Sequence, residues 1–134
     1  MRSMLTTMRH RGPDSSGYWC DKLNIALGHT RLSILDLSSA GAQPMKSASG
    51  RFVMAFNGEI YNYLELRDEL SDGWTFRSSS DTETILASYE KYGLDCVNHL
   101  RGMFAFAIWD ENKQRLFCAR DRFGIKPFYF ARIG

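Results

Sequence analysis

The chain has 134 residues, a formal net charge of +2, 44% hydrophobic residues and 24% charged residues, proportions that indicate one globular domain and exclude a disordered or fibrous protein. The charge is small and its basic residues are scattered, which argues against a nucleic-acid partner, and no apolar run is long enough to span a bilayer. Cys20, Cys96 and Cys118 form no close pair and no CxxC spacing. We therefore expect reduced thiols in a cytoplasmic protein, without a disulfide framework or a zinc site.

The first half of the chain is predicted to form a short helix followed by strands. Methionine and leucine recur at helical spacing up to Met8, and the Gly12-Pro13 pair ends that segment. The next predicted segments are strands over 16–21, 24–32 and 52–56 and a loop over 38–50. The Asn57-Gly58 pair that follows is typical of a type I′ hairpin turn between strands, so a new short strand is expected at 59–61.

The second half predicts two helices and a hairpin. Asn62 fits the N-cap of a first helix, and Ser80-Asp81-Thr82-Glu83 is a capping box for a second helix that ends at Gly93. Strands over 103–110 and 115–120 flank a turn, and the first of them is apolar on both faces. Such a strand must be covered on both faces, which indicates stacked sheets with helices outside.

Several polar residues are candidates for holding the two ends of a free amino acid. The Asn57 amide and the Gly58 N–H are donors that one tight turn would aim at a single point, as in an oxyanion hole. Arg31, at the end of an apolar strand, is either an edge residue with its charge in solvent or a planar clamp for a carboxylate. Asp81 and Glu83 are either acids favoured by the helix dipole or partners for an ammonium group.

The remaining patterns favour structural roles. His10, His29 and His99 do not have the spacing of metal ligands, and no phosphate-binding glycine motif is present, so no metal or cofactor is expected in this domain. The Arg120-Asp121-Arg122-Phe123-Gly124 segment is predicted to be a salt-bridged turn. The longer segment from Arg120 to Pro127 is predicted to shape the end of the domain and not to touch substrate.

Seven strings of residues occur in the order found in asparagine synthetases. The strings are His10-Arg11-Gly12-Pro13-Asp14, Gly28-His29-Thr30-Arg31-Leu32-Ser33-Ile34-Leu35-Asp36, Gln43-Pro44-Met45, Phe56-Asn57-Gly58-Glu59-Ile60-Tyr61-Asn62, Ser80-Asp81-Thr82-Glu83, Gly102-Met103-Phe104-Ala105-Phe106-Ala107 and Arg120-Asp121-Arg122-Phe123-Gly124-Ile125-Lys126-Pro127. The chain thus resembles, over essentially its whole length, the class II glutamine amidotransferase domain of that family, an N-terminal-nucleophile hydrolase. The resemblance implies an α+β fold, a four-layer αββα sandwich of two antiparallel sheets with outer helices.

The resemblance also implies a reaction and a set of site residues. In the family, an N-terminal cysteine attacks the side-chain amide of glutamine with its own α-amino group as base. A following synthetase domain uses ATP and magnesium to activate aspartate, which captures the ammonia. Asn57 and Gly58 match the oxyanion hole. The substrate-binding residues implied are Arg31, Leu32, Ser33, Ile34, Leu35, Asn57, Gly58, Glu59 and Asp81.

The start of the chain departs from the family, which begins with Cys-Gly-Ile, because Met1 is followed here by Arg2. We therefore expect residues 1–134 to be the glutaminase domain without its first strand, its nucleophile and the synthetase domain. Such a chain is expected to bind glutamine and to be unable to hydrolyse it alone. The expected partners are L-glutamine and the synthetase domain of a parent chain, and a homodimer is compatible with the resemblance.

Other parents and other functions remain open from the sequence. A glucosamine-phosphate synthase or an amidophosphoribosyltransferase would use the same chemistry, but the string from Arg31 to Asp36 resembles the asparagine synthetase type. An amidotransferase for another carboxylate acceptor fits equally well. A non-catalytic module that binds glutamine or a partner protein, and a plain structural domain, are the alternatives from other classes.

Overall fold

The computed structural model describes residues 2–21, 25–32, 36 and 38–132. Helices and strands alternate irregularly along this part of the chain. They are α1 (Arg2–Thr7), β1 (Ser15–Cys20), β2 (Ala26–Arg31), β3 (Met45–Lys46), β4 (Phe52–Ile60), α2 (Tyr63–Leu70), α3 (Asp81–Tyr92), α4 (Cys96–His99), β5 (Gly102–Asp110) and β6 (Arg115–Arg120). Short 3-10 helices cover Arg9–Arg11, Ser39–Gly41 and Gly93–Asp95.

Two antiparallel sheets form the frame of the described chain. One contains β1 and β2, and the other has the order β3-β4-β5-β6. Strands β4 and β5 pair along their whole length, from Phe52 opposite Asp110 to Ile60 opposite Gly102. The short β3 lies within the segment for which the sequence predicted only a loop, and it pairs with β4 only at Val53 and Met54.

The two faces of the four-stranded sheet are both buried. On one face, Phe56 and Phe106 pack in a core with residues of α2 and α3 such as Leu66 and Ile85. On the other face, Val53 and Trp109 pack against Leu27 of β2. The prediction that the strand over 103–110 is covered on both sides is confirmed, as is an α+β architecture of two stacked antiparallel sheets with helices outside. The short helix α1 lies beside β2.

The Asn57-Gly58 turn prediction is wrong. Asn57 and Gly58 lie inside the continuous strand β4, opposite Ala105 and Phe104, and Gly58 does not adopt a positive φ. Local propensity favoured a type I′ turn, but nine residues of pairing with β5 and the burial of alternate side chains of β4 outweigh it. Gly58 is instead required by a close approach, since an added Cβ would lie 2.2 Å from the Met103 carbonyl oxygen.

The predicted helix ends are confirmed in part. The Ser80 hydroxyl accepts the Thr82 N–H at 3.1 Å, which caps α3, and Gly93, at φ +61°, ends that helix. Glu83 does not complete the capping box, because its carboxylate accepts the N–H groups of Arg77 and Ser78 instead. Only the Ser80 half of the capping box therefore forms its hydrogen bond to a backbone N–H of α3.

The Asn62 cap prediction is wrong in its chemistry. Asn62 precedes α2, but its side chain makes no capping bond to that helix. Its amide donates to the His99 carbonyl at 2.9 Å and accepts the Arg101 N–H at 2.8 Å. Asn62 thus ties the end of β4 to the connection between α4 and β5, a contact between positions far apart in the sequence.

The prediction of a salt-bridged turn after β6 is wrong, because in the part of the chain that the structure describes hydrogen bonds to backbone groups hold this segment and no ion pair does. Asp121 is buried and accepts the N–H groups of Phe104, Ile125 and Lys126. Arg120 donates to the carbonyls of Gly124 and Lys126. No described helix is long and apolar enough to cross a membrane.

Replacing Gly58 with alanine tests the close approach of β4 and β5. The new Cβ would lie 2.2 Å from the Met103 oxygen and 2.7 Å from the Phe104 Cα, and both are backbone atoms that cannot rotate away. We expect Gly58→Ala to lower the free energy of unfolding by about 1–3 kcal/mol, the usual cost of overpacking, measured by urea denaturation.

Gly73→Ala is the matched control for this substitution. Gly73 lies in the turn after α2, and a Cβ there meets no atom within 4 Å. Equal midpoints for the two variants would contradict the predicted clash at Gly58.

Candidate functional site

A cavity of about 250 Å³ opens beside the end of β4, between β2, the first turn of α3 and the loop that contains Gln43. The predicted site residues in its wall are Arg31, Leu32, Asn57, Gly58, Glu59 and Asp81. The predicted site residues Ser33, Ile34 and Leu35 lie outside the described residues. The fold thus brings together residues from three separate segments of the chain.

Hydrogen bonding along the open edge of β4 shows how the cavity wall is made. Beyond Met54 no described strand pairs with this edge. The Phe56 N–H donates to Gln43 Oε1 at 2.7 Å, and the Ile60 N–H donates to Asp81 Oδ2 at 3.0 Å. Because alternate N–H groups of a strand point to the same edge, the Gly58 N–H also points off this edge, towards the cavity.

The opposite strand gives independent evidence for the direction of the Gly58 N–H. Phe104 lies opposite Gly58, and its N–H and C=O both bond to Asp121, on the far side of β5. Gly58 and Phe104 are therefore a pair without mutual hydrogen bonds, the kind in which the two backbones approach most closely. The adjacent Asn57 side chain is exposed, so an amide and a backbone N–H stand next to each other in the cavity wall.

The acidic end of the cavity is formed by Asp81 and Glu59. Asp81 is buried, with 5% of its surface exposed. Burial, together with the negative charge of Glu59, raises the pKa of Asp81 to about 6, although the hydrogen bond from the Ile60 N–H acts in the opposite direction. A ligand ammonium group between the two carboxylates would relieve both effects.

Glu83, the other acid considered from the sequence, has a different role. Burial favours its neutral form, but hydrogen bonds from the Ser78 hydroxyl and from the N–H groups of Arg77 and Ser78 outweigh that effect and lower its pKa. Glu83 therefore holds the loop before α3 and is not part of the cavity wall.

Arg31 is oriented by the loop that follows it. Its guanidinium donates to the Ser38 carbonyl at 2.9 Å and to the Asp36 carbonyl. Within the described part of the chain no carboxylate forms an ion pair with Arg31. A guanidinium has five N–H donors, so a positive group fixed by neutral carbonyls stands in the cavity wall, with donors left for a ligand.

Asp36 links the loop that holds Arg31 to the loop before α3, a role that the sequence did not reveal. One carboxylate oxygen accepts the N–H and hydroxyl of Ser38, and the other accepts the Ser79 N–H at 3.0 Å. The Ser38 hydroxyl in particular lowers the pKa of Asp36 to about 2. The bonds to Ser38 are local and readable from a sequence, but Ser79 is 43 positions away.

Gln43 and His29 are two further residues of the wall that the sequence did not single out as part of the site. Gln43 bonds to the edge of β4 and donates to the Thr82 hydroxyl at 3.3 Å. His29 is half-buried, and burial together with the charge of Arg31 lowers its pKa even though the Phe56 carbonyl favours the charged ring. Its Nδ1 has no hydrogen-bond partner among the described residues.

The three cysteines all lie away from the cavity. Cys20 and Cys118 are exposed and Cys96 is buried, and none contributes to the cavity wall. Burial raises the pKa of Cys96 to about 12, which keeps it a neutral thiol. Nowhere in the described ranges do three or more potential metal ligands gather.

The Asp36→Asn variant tests the link between the loop that holds Arg31 and the loop before α3. A pKa lowered from 3.8 to about 2 stabilises the fold above about pH 4, and this contribution disappears as the pH falls towards 2. We expect the variant to melt several degrees below the parent at neutral pH, with the difference shrinking below about pH 4. Thermal melts followed by circular dichroism would measure it, with the exposed Asp72→Asn as control. A difference independent of pH would contradict the assignment.

Known proteins resemble this chain over its full length. A family model described as a glutamine amidotransferase domain matches residues 1–134. The chain is 48% identical to asparagine synthetase (glutamine-hydrolyzing) 1 of Bacillus subtilis, over 99% of this chain and 21% of that protein. It is 46% identical to amidase chry2 of Gibberella zeae, over 97% of this chain and 20% of that protein. The chain thus spans about a fifth of the length of these relatives.

A solved structure supports the fold. Glutamine phosphoribosylpyrophosphate amidotransferase from Bacillus subtilis, complexed with ADP and GMP, superposes with a TM-score of 0.64 at 27% identity, over 76% of this chain and 24% of that one. Its name is that of an amidotransferase, in agreement with the description of the family model. The whole-length match to the family model and the asparagine synthetase relatives lead to one assignment: the chain belongs to the glutamine amidotransferase domain family and is a domain of the asparagine synthetase type.

Proposed function

We propose that the cavity binds L-glutamine and that this domain is the glutaminase part of an asparagine-synthetase-like amidotransferase. The observation that carries the proposal is the Gly58 N–H, directed into a cavity whose wall contains both cations and carboxylates. The cations are Arg11, Arg31 and Lys126, and the carboxylates are Asp36, Glu59 and Asp81. Arg31 binds the substrate carboxylate, and Glu59 and Asp81 bind its ammonium group. The glutamine side chain then extends towards Asn57 and Gly58.

In this proposal the described residues supply binding and transition-state stabilisation. The Asn57 amide and the Gly58 N–H donate to the oxygen of the glutamine side-chain amide, whose negative charge develops when a thiol attacks the carbon. The thiol is that of an N-terminal cysteine, with its α-amino group as base. Ammonia leaves, and water cleaves the thioester to give glutamate. Cys20, Cys96 and Cys118 do not take this role, because they lie away from the cavity.

The acceptor of the ammonia is proposed to be aspartate. In a parent protein of the cytoplasm, a synthetase domain would use ATP and magnesium to activate aspartate, and residues 1–134 would form the glutaminase domain. The names of the asparagine synthetase relatives, of which this chain spans about a fifth, support this acceptor. Another carboxylate acceptor is the second candidate, since a relative at 46% identity carries a name other than asparagine synthetase.

Binding of L-glutamine should depend on the ionisation of Asp81. Its pKa of about 6 means that the carboxylate needed by the ammonium group is mostly present at about pH 7 and mostly protonated at about pH 5. We expect the affinity, measured by isothermal titration calorimetry, to fall about tenfold between these values, since binding scales with the competent fraction.

Two variants separate Asp81 from other titrating groups such as His29. Asp81→Asn should bind weakly and lose the pH dependence between about pH 5 and 7. Glu90→Gln, on the exposed side of the same helix, should behave like the parent. Unchanged affinity and pH dependence in Asp81→Asn would contradict the proposed orientation of the substrate.

The isolated chain should bind glutamine without turning it over. We expect no ammonia above background from purified residues 1–134 and L-glutamine in a coupled glutamate dehydrogenase assay, because no cysteine stands at the cavity. Ammonia release that Asn57→Ala abolishes would show that the chain contains a nucleophile of its own. An absence of binding by calorimetry would instead favour a purely structural domain.

A further inference from the structure

Gln43 connects three parts of the structure through one side chain. Its Oε1 accepts the Phe56 N–H of β4 at 2.7 Å, and its Nε2 donates to the Thr82 hydroxyl in the first turn of α3 at 3.3 Å. A backbone N–H can only donate, so the amide orientation follows from chemistry. The backbone of Gln43 is itself closely packed, since a Cβ on Gly17 of β1 would lie 2.2 Å from the Gln43 carbonyl oxygen.

The hydrogen bonds at the open edge of β4 lie on both sides of the Gly58 N–H along the strand. Phe56, Gly58 and Ile60 point their N–H groups off the same open edge. The first N–H bonds to Gln43 and the third bonds to Asp81. Both partners are tied to the first turn of α3, Gln43 through Thr82 and Asp81 as its first residue. The middle N–H, that of Gly58, therefore lies between two fixed points.

No described strand holds this part of the edge, because β3 ends its pairing with β4 at Met54. At the Phe56 end, the Gln43 side chain bridges the open edge of β4 and the first turn of α3. If that bridge is lost, the Phe56 N–H loses its acceptor. The open edge then keeps one hydrogen bond to α3, that of the Ile60 N–H to Asp81, beside the packing of β4 and α3 in the core. The direction of the Gly58 N–H is then less well defined.

We propose that Gln43 is a positioning residue, which fixes the open edge of β4 against α3 and so aims the Gly58 N–H into the cavity. The inference rests on the proposed function for the statement that Gly58 donates to the substrate. Gln43 itself acts through the backbone of β4. Its two bonds have separate duties: Oε1 satisfies the strand, and Nε2 anchors the side chain to the helix.

Three variants of the 134-residue chain separate these duties. Gln43→Leu removes both bonds, Gln43→Glu keeps an acceptor for the Phe56 N–H, and Thr82→Val removes only the anchor on α3. The measurements are amide hydrogen exchange and ¹H–¹⁵N spectra, followed by titration with L-glutamine.

For Gln43→Leu we expect exchange at the Phe56 amide to rise about three- to tenfold, the effect of one lost hydrogen bond, and the Gly58 amide resonance to shift. Exchange at Ile108, in the centre of β5, should not change. Gln43→Glu should keep the Phe56 amide protected and should leave the Gly58 resonance close to its position in the parent chain. Thr82→Val should shift the Gly58 resonance less than Gln43→Leu does. Glutamine affinity should fall about three- to tenfold in Gln43→Leu.

A uniform rise in exchange that includes Ile108, without rescue by Gln43→Glu, would show a merely structural role and overturn the proposal. An unchanged Gly58 resonance in Gln43→Leu would also overturn it. If the parent chain binds no glutamine but the exchange and resonance pattern appears as expected, the proposed function fails while the positioning of Gly58 by Gln43 stands.

Discussion

The open edge of β4 is the constraint on which the cavity depends. Strand β3 pairs with β4 only at Val53 and Met54, so among the described residues no strand lies beside the backbone groups from Phe56 to Ile60 on that side. Backbone N–H groups near the interior need partners, and side chains provide them at Phe56 and Ile60. The Gly58 N–H between them faces the cavity. A sheet that ended in a complete edge strand would leave no donor there.

The electrostatics of the cavity follow from what surrounds each charge. Asp81 is desolvated and close to Glu59, which disfavours its carboxylate form, whereas Asp36 is stabilised as a carboxylate by Ser38 and Ser79. Arg31 is held by carbonyl oxygens that do not neutralise it. The wall of one cavity thus contains groups of both signs, and the proposed function pairs them with the carboxylate and the ammonium group of a free amino acid. Perturbed acids of this kind are common at binding sites.

Several local patterns were overruled by contacts with residues outside the pattern. The Asn57-Gly58 pair has the composition of a turn, but pairing with β5 keeps it extended. Asn62 has the composition of a helix cap, but its amide bonds to the backbone at His99 and Arg101. Glu83 belongs to a capping box in sequence, yet it bonds to the loop before the helix. In each case the hydrogen-bond or pairing partner observed in the structure lies outside the local sequence pattern.

The sequence by itself determined the family resemblance, the helix beginning at Asp81, the hairpin of β5 and β6, and the burial of β5 on both faces, because periodicity and capping are local properties of the chain. It also named Arg31, Asn57, Gly58, Glu59 and Asp81 as residues of one site. Only the tertiary structure decided how Gly58 presents its N–H, which depends on the direction of alternate backbone groups along an unpaired edge. The roles of Asp36 and Gln43 were likewise decided there, since their bonds to Ser79 and Thr82 join segments about 40 residues apart that meet only in the folded chain.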